Sequence, residues 1–214
     1  MDYNDRDVHG GTDGPSDPVV ERERAAGPGR ASGREPASGR DPAPGPDPAA
    51  ERRRAERERA AEVLDLQEGR GRVELASVAE ARALLGRARR IAIVGASPDP
   101  DRPSYGVMAY LLAAGYDCVP VNPSVAEVLG RPTFADVGAA TRATGRFDIV
   151  DVFRRPDAAV DVARQAVEAG AGALWLQLGV VSWEAAGIAA DAGLPVVMDR
   201  CAKIEHDAMR MRGG

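Results

Sequence analysis

IAIVGAS, residues 91–97, decides the fold: four apolar residues, then a glycine, then two small residues. The apolar run shows no polar alternation, which suits a strand buried on both faces. Gly95 frees the backbone to turn where that strand ends. Downstream the pattern repeats. Residues 105–114 place Val107, Met108, Leu111 and Leu112 on one helical face, and Gly115 stops the helix. Residues 118–121 read as a second strand, ended by Asn122-Pro123, and 136–143 as a short helix. Residues 147–153 form a third strand. A helix over 156–169 follows, with proline in its first turn and Gly170 past its end. A fourth strand spans 173–178, a helix 182–192 is closed by Gly193, a fifth strand spans 195–198, and a last helix covers 204–211. Upstream, Ser77-Val-Ala-Glu80 is a capping box opening a helix that runs to about Arg87.

Strands that alternate with helices and carry near-continuous apolar runs predict a parallel sheet covered on both faces. The fold class is therefore α/β: a Rossmann-like three-layer sandwich with a five-stranded parallel sheet. Ligands of such sheets bind outside the carboxyl ends of the strands, where the strand order reverses. The residues after each strand are the ones to search. Asp148 and Asp151 break the apolar run of the third strand and mark either its polar end or a site.

Composition narrows the function classes. The net charge is −5, the pI near 5.2 and the aromatic content 4%, so neither a basic stripe nor a base-stacking platform is expected, and nucleic acid is not the partner. The apolar runs are short, which argues against a membrane span, and the N-terminus lacks the pattern of a secretory signal. Cys118 and Cys201 are too few for a disulfide framework and suit a reducing cytoplasm. Residues 1–58 are expected to be a disordered, low-complexity tail, typified by GREPASGRDPAPGPDP at 33–48. The domain is expected over 59–212, with its core at 89–210. Helix formers with Glu/Arg pairs already begin at residue 51.

The loop after the first strand carries the chemistry. A glycine there lets the backbone approach a phosphate, and the next helix aims its N-terminus at the anion. Ser97 and Ser104 add hydroxyl donors, with Ser104 placed to cap that helix. The plain alternative is a strand-to-helix loop with a capping serine. The loop is not the dinucleotide fingerprint: GxGxxG requires glycine at position 97, which is serine. The second strand ends in Val121-Asn122-Pro123, not in the acidic residue that would hold an NAD ribose.

The strings IAIVGASPDPDRPSYGVMAYLLAAGY (91–116), VPVNP (119–123), FDIVDVFRRPDAA (147–159), LWLQLGVV (174–181) and VVMDRC with KIEH (196–206) resemble the stand-alone CoA-binding proteins of the succinyl-CoA-synthetase type. The resemblance covers roughly 120 residues and implies a CoA-binding Rossmann domain. By position, it implies that Gly95, Ala96 and Ser97 hold the CoA phosphates. Val121, Asn122 and Pro123 would line the nucleotide end. Phe153, Arg154 and Arg155 would face the adenosine or pantetheine part, and Gln177, Leu178 and Gly179 follow the fourth strand. Arginine pairs a phosphate bidentately, so Arg102, Arg131, Arg154 and Arg155 are candidates. The expected function is to bind coenzyme A or an acyl-CoA as a small non-catalytic carrier or regulatory module. A protein partner or a homo-oligomer is compatible with it.

Three alternatives stand beside this. One is an acyl-CoA-using enzyme with Cys201 as a reactive thiol, its pKa lowered by nearby Lys203 and His206. Another is an NAD(P)- or nucleotide-binding protein, and the third a scaffold that binds no nucleotide.

Overall fold

In the computed structural model, which describes residues 47–71 and 73–212, the chain runs α1 (Pro48–Gln67), α2 (Val78–Arg87), β1 (Arg90–Val94), α3 (Pro103–Ala113), β2 (Asp117–Val121), β3 (Glu127–Val128), β4 (Arg131–Pro132), α4 (Val137–Thr144), β5 (Ile149–Val152), α5 (Pro156–Glu168), β6 (Leu174–Leu176), α6 (Trp183–Asp191), β7 (Val196–Val197) and α7 (Ala202–Arg212). Five strands make one parallel sheet in the order β2-β1-β5-β6-β7. The order reverses between β1 and β5, so a crevice opens at their carboxyl ends.

The alternation of side chains along the strands divides the core in two. Ala92, Val94, Val119, Val121, Val150, Val152, Leu174 and Leu176 pack against α4, α5 and α6. Ile91, Ile93, Cys118, Ile149, Trp175 and Val197 pack against α2, α3 and α7. These are the three layers. The capping box at α2 is formed: Ser77 accepts from Glu80 N–H, and Glu80 accepts from Ser77 N–H. Asp148 accepts from the N–H groups of Arg89 and Arg90 at 2.8 and 3.0 Å, which fastens the start of β1 to β5. Burial works to raise this carboxyl. The hydrogen bonds from Arg90 and Arg89 and the charges of Arg146 and Arg90 outweigh it and hold the group below the usual carboxylate range.

Two elements differ from the sequence reading. The β3–β4 hairpin was not foreseen. Its strands are two residues each, too short to show a period, and it turns on Leu129 and Gly130 at φ 51° and 73°. It carries the chain to Phe134, which bridges to Val121 beside β2. Helix α1 runs across 58/59, where the sequence reading divides tail from domain. Its early turns are exposed, but its end is anchored. Trp183 Nε1 donates to the Glu62 carbonyl at 3.1 Å, and Leu66 packs on the core. Gly71 lies so close to Trp183 that a Cβ would sit 2.5 Å from its ring. Ala76 N–H then donates to the carbonyl of Val196 on the edge strand β7, at 2.8 Å. The proposed tail up to residue 46 lies outside the described residues. Among the described residues no helix is long and apolar enough to cross a membrane.

Candidate functional site

Gly95 follows β1 at φ +84°, a region that a side chain disfavours. A Cβ there would meet Arg154 Cδ at 2.9 Å and the Phe153 carbonyl oxygen at 3.0 Å. The loop after β1 and the loop after β5 therefore touch at the point where the strand order reverses, and only glycine permits it. Gly95 N–H donates to the Val121 carbonyl. Asn122 Nδ2 donates to the Ala96 carbonyl at 2.7 Å, and Asn122 Oδ1 accepts from Ser124 N–H. The loops after β1 and β2 are tied by these bonds. The backbone N–H groups of Ala96 and Ser97 donate to no partner among the described residues.

Two clefts open here, of about 540 and 570 Å³, within the usual range for cofactor sites. They meet at Gly95, Arg154 and Ala158. The first is lined by Gly95, Ser97, Arg102, Ser104, Asn122, Phe153, Arg154, Arg155, Gln177 and Leu178. It gathers nine of the thirteen cofactor residues read from sequence, plus Leu178. Val121 and Pro123 line the second cleft, whose wall also carries Asp136, Asp157, Asp161 and Glu184. That acidic wall makes the first cleft the better place for phosphate. Ala96 is fully buried and offers only backbone, and Gly179 donates its N–H to Asp199 Oδ1 at 2.7 Å.

The helices bordering the first cleft start differently from α2, α4 and α6. Ser77, Asp136 and Ser182 cap α2, α4 and α6 with a side-chain hydrogen bond. Helices α3 and α5 have Arg102 and Arg155 at the N-cap, proline at the first position and no side-chain cap. Each presents the positive end of its dipole next to a cationic residue. Arg102 and Arg155 lie near Asp99 (4.0 Å) and Asp157 (3.3 Å). Arg154 is exposed and forms no ion pair with any described residue. Uncapped helix starts, unbonded N–H groups, a glycine at a close approach and an unpaired arginine form a donor set that fits a phosphate group.

Three sequence readings change. Ser104 does not cap α3; with Pro103 at the first helical position the cap falls on Arg102, and Ser104 sits inside the first turn, 4% exposed. Arg131 is away from the rim, because it pairs with Asp117 at the amino end of β2, at 2.8 Å, beside Arg90. Burial pulls the Asp117 carboxyl up, and the hydrogen bonds and charges of Arg90 and Arg131 bring it below the usual range. Lys203 and His206 engage Tyr110 and not Cys201: the ammonium lies 5.5 Å over the Tyr110 ring, and His206 Nδ1 is 3.0 Å from the Tyr110 hydroxyl. Burial and the charge of Arg210 lower the His206 pKa, with Asp207 opposing. On the rim after β7, Asp199 and Arg200 are held by separate partners. Asp199 takes Gly179 N–H, while Arg200 pairs with Glu205 and accepts from Trp175 Nε1.

Sequence reading missed the partner of Asp151. It is fully buried, and both of its carboxyl oxygens lie 2.9 Å from Gln177 Nε2.

Comparison with known proteins follows the same boundaries. The family described as "CoA binding domain" matches residues 89–207. An uncharacterized protein, YneT, of Bacillus subtilis (strain 168) is 40% identical over 130 residues, which cover 61% of this chain and 94% of that protein. The solved structure of a hypothetical protein from Pyrococcus horikoshii OT3 is 38% identical with a TM-score of 0.60, over 63% of this chain and 93% of that one. A Thermus thermophilus structure is 36% identical with a TM-score of 0.56, over 63% of this chain and 99% of that one.

Proposed function

The chain belongs to the CoA binding domain family, and on that premise we propose that it binds coenzyme A or an acyl-CoA at the β1–β5 crevice as a non-catalytic carrier or regulatory module. The observation that carries the reading is Arg154, unpaired and packed by its stem against Gly95, between two helix starts that lack side-chain caps. Phosphates seated there receive the Ala96 and Ser97 N–H groups, the Ser97 hydroxyl and the guanidinium groups of Arg102, Arg154 and Arg155. Val121, Asn122 and Pro123 line the nucleotide end. Phe153, Gln177, Leu178 and Gly179 border the other end, where the pantetheine arm runs.

The same proposal has Cys118 and Cys201 remain thiols in the cytoplasm. Cys118 is inert in it: burial, with the charge of Asp151 adding, pushes its thiol up to about 12. Every residue named in this proposal belongs to one chain.

Calorimetric titration with CoA, NAD and ADP tests the reading. CoA is expected to bind at least ten-fold more tightly than NAD. NAD binding without CoA would transfer the site to the dinucleotide class, and no binding of any of the three would leave a scaffold role.

A further inference from the structure

We propose that Asp151 and Gln177 form a specificity pair in the floor of the cleft, with Asp151 holding the Gln177 carboxamide so that its free edge hydrogen-bonds a secondary amide of the pantetheine arm. The inference rests on the CoA reading and deepens it.

Asp151 sits in the middle of β5, opposite Ile93 on one side and Trp175 on the other, with no exposed surface. Gln177 comes two residues after Trp175 and so lies on the same face of the sheet. Its Nε2 is 2.9 Å from both Asp151 oxygens. The residue is only 3% exposed, yet it lines the cleft with Ser97, Asn122 and Arg154. Its Oε1 has no hydrogen-bond partner among the described residues. Nor is it fully enclosed, since Thr141 Oγ1 is the sole described side-chain atom both enclosed and unpartnered. The small exposed part of Gln177 therefore includes this oxygen, and it opens into the cleft. A polar pair this deep costs free energy that an apolar pair of equal volume would avoid.

The order of groups along the sheet edge names the ligand part. Asn122 follows β2, Gly95 follows β1, Arg154 follows β5 and Gln177 follows β6. A diphosphate at Gly95 and Arg154, with the nucleotide toward Asn122, sends the other arm toward Gln177. In CoA that arm is pantetheine, which carries a hydroxyl, two secondary amides and a terminal thiol, joined by methylenes that suit Phe153, Leu178 and Val180. A secondary amide also matches both states of the pair. With Asp151 ionised, Nε2 faces the carboxylate and Oε1 accepts from the ligand N–H. With Asp151 neutral, Oε1 accepts the acid proton and the amide N–H is free to meet the ligand carbonyl.

The test is titration of wild type, D151V, D151N and the volume-conserving D151V/Q177M with CoA and with adenosine 3′,5′-diphosphate, which lacks the arm. Thermal unfolding confirms that each variant is folded. D151V and D151V/Q177M are expected to lose about ten-fold in CoA affinity with unchanged affinity for adenosine 3′,5′-diphosphate. D151N, which still holds the carboxamide, is expected to recover most of the loss. Wild-type CoA affinity in the folded double variant would overturn the proposal, as would equal losses for both ligands. Wild type that binds neither ligand would overturn the CoA reading itself, a result distinct from a variant-specific one.

Discussion

At Gly95 two demands coincide, a left-handed backbone and a 2.9 Å approach to the Arg154 stem, and the second places that arginine at the crevice. Arg154→Ala is expected to lower CoA affinity about ten-fold by calorimetry, in line with the loss of a charge-assisted bond. Its melting temperature is expected to hold within about 1–2 °C, because an exposed arginine without an ion pair adds little to stability. Asp151 works in the opposite way. Burial raises its pKa to about 8, although the Gln177 and Val152 hydrogen bonds pull it down. Between about pH 4 and 8 the folded chain holds a proton that the unfolded chain has released, so stability falls as pH rises through that window. Asp151→Asn removes the term. Its melting temperature is expected to exceed that of wild type by a margin that widens from pH 4 to pH 8, and a constant margin would contradict the assignment. None of this pairing is legible in the sequence, because residues 26 apart meet only through the β5–β6 register.

Among the elements, the five sheet strands were readable because both of their faces are buried and the apolar runs are near-continuous, broken in the third only by aspartate. The β3–β4 hairpin was not, and Arg131 went astray with it, since a two-residue strand carries no period. The Arg-Pro pairs at 102–103 and 155–156 were in plain view. They mark the helix starts without side-chain caps, and the signal lay in their contrast with the serine and aspartate caps elsewhere. Helix α1 makes a prediction of its own. Its C-terminal half carries Glu62, whose backbone carbonyl accepts from Trp183 Nε1. A chain beginning at residue 73 is expected to melt several degrees lower than one beginning at residue 47, because the tryptophan loses a cover and its hydrogen-bond partner. Trp183 fluorescence should shift to the red in the same truncation.

For the whole molecule, the reversal of strand order sets the address of the site before any side chain is considered. Eleven of the thirteen residues drawn from sequence line the two clefts there, because most of them immediately follow a strand. A chain lacking residues 1–46 is expected to bind CoA with unchanged affinity by calorimetry, since the cleft draws no residue from before Val94. The segment just ahead of the family-matched region has another role. Strand β7 is two residues long and ends the sheet, and Ala76 donates to its outer carbonyl at Val196. An open edge is a template on which a second chain can add a strand. The bond from Ala76 occupies that carbonyl and is expected to hinder edge-to-edge self-association. A fragment cut to the family boundaries at 89–207 would give up this bond together with helix α2, which covers one face of the sheet, so aggregation is its expected failure mode.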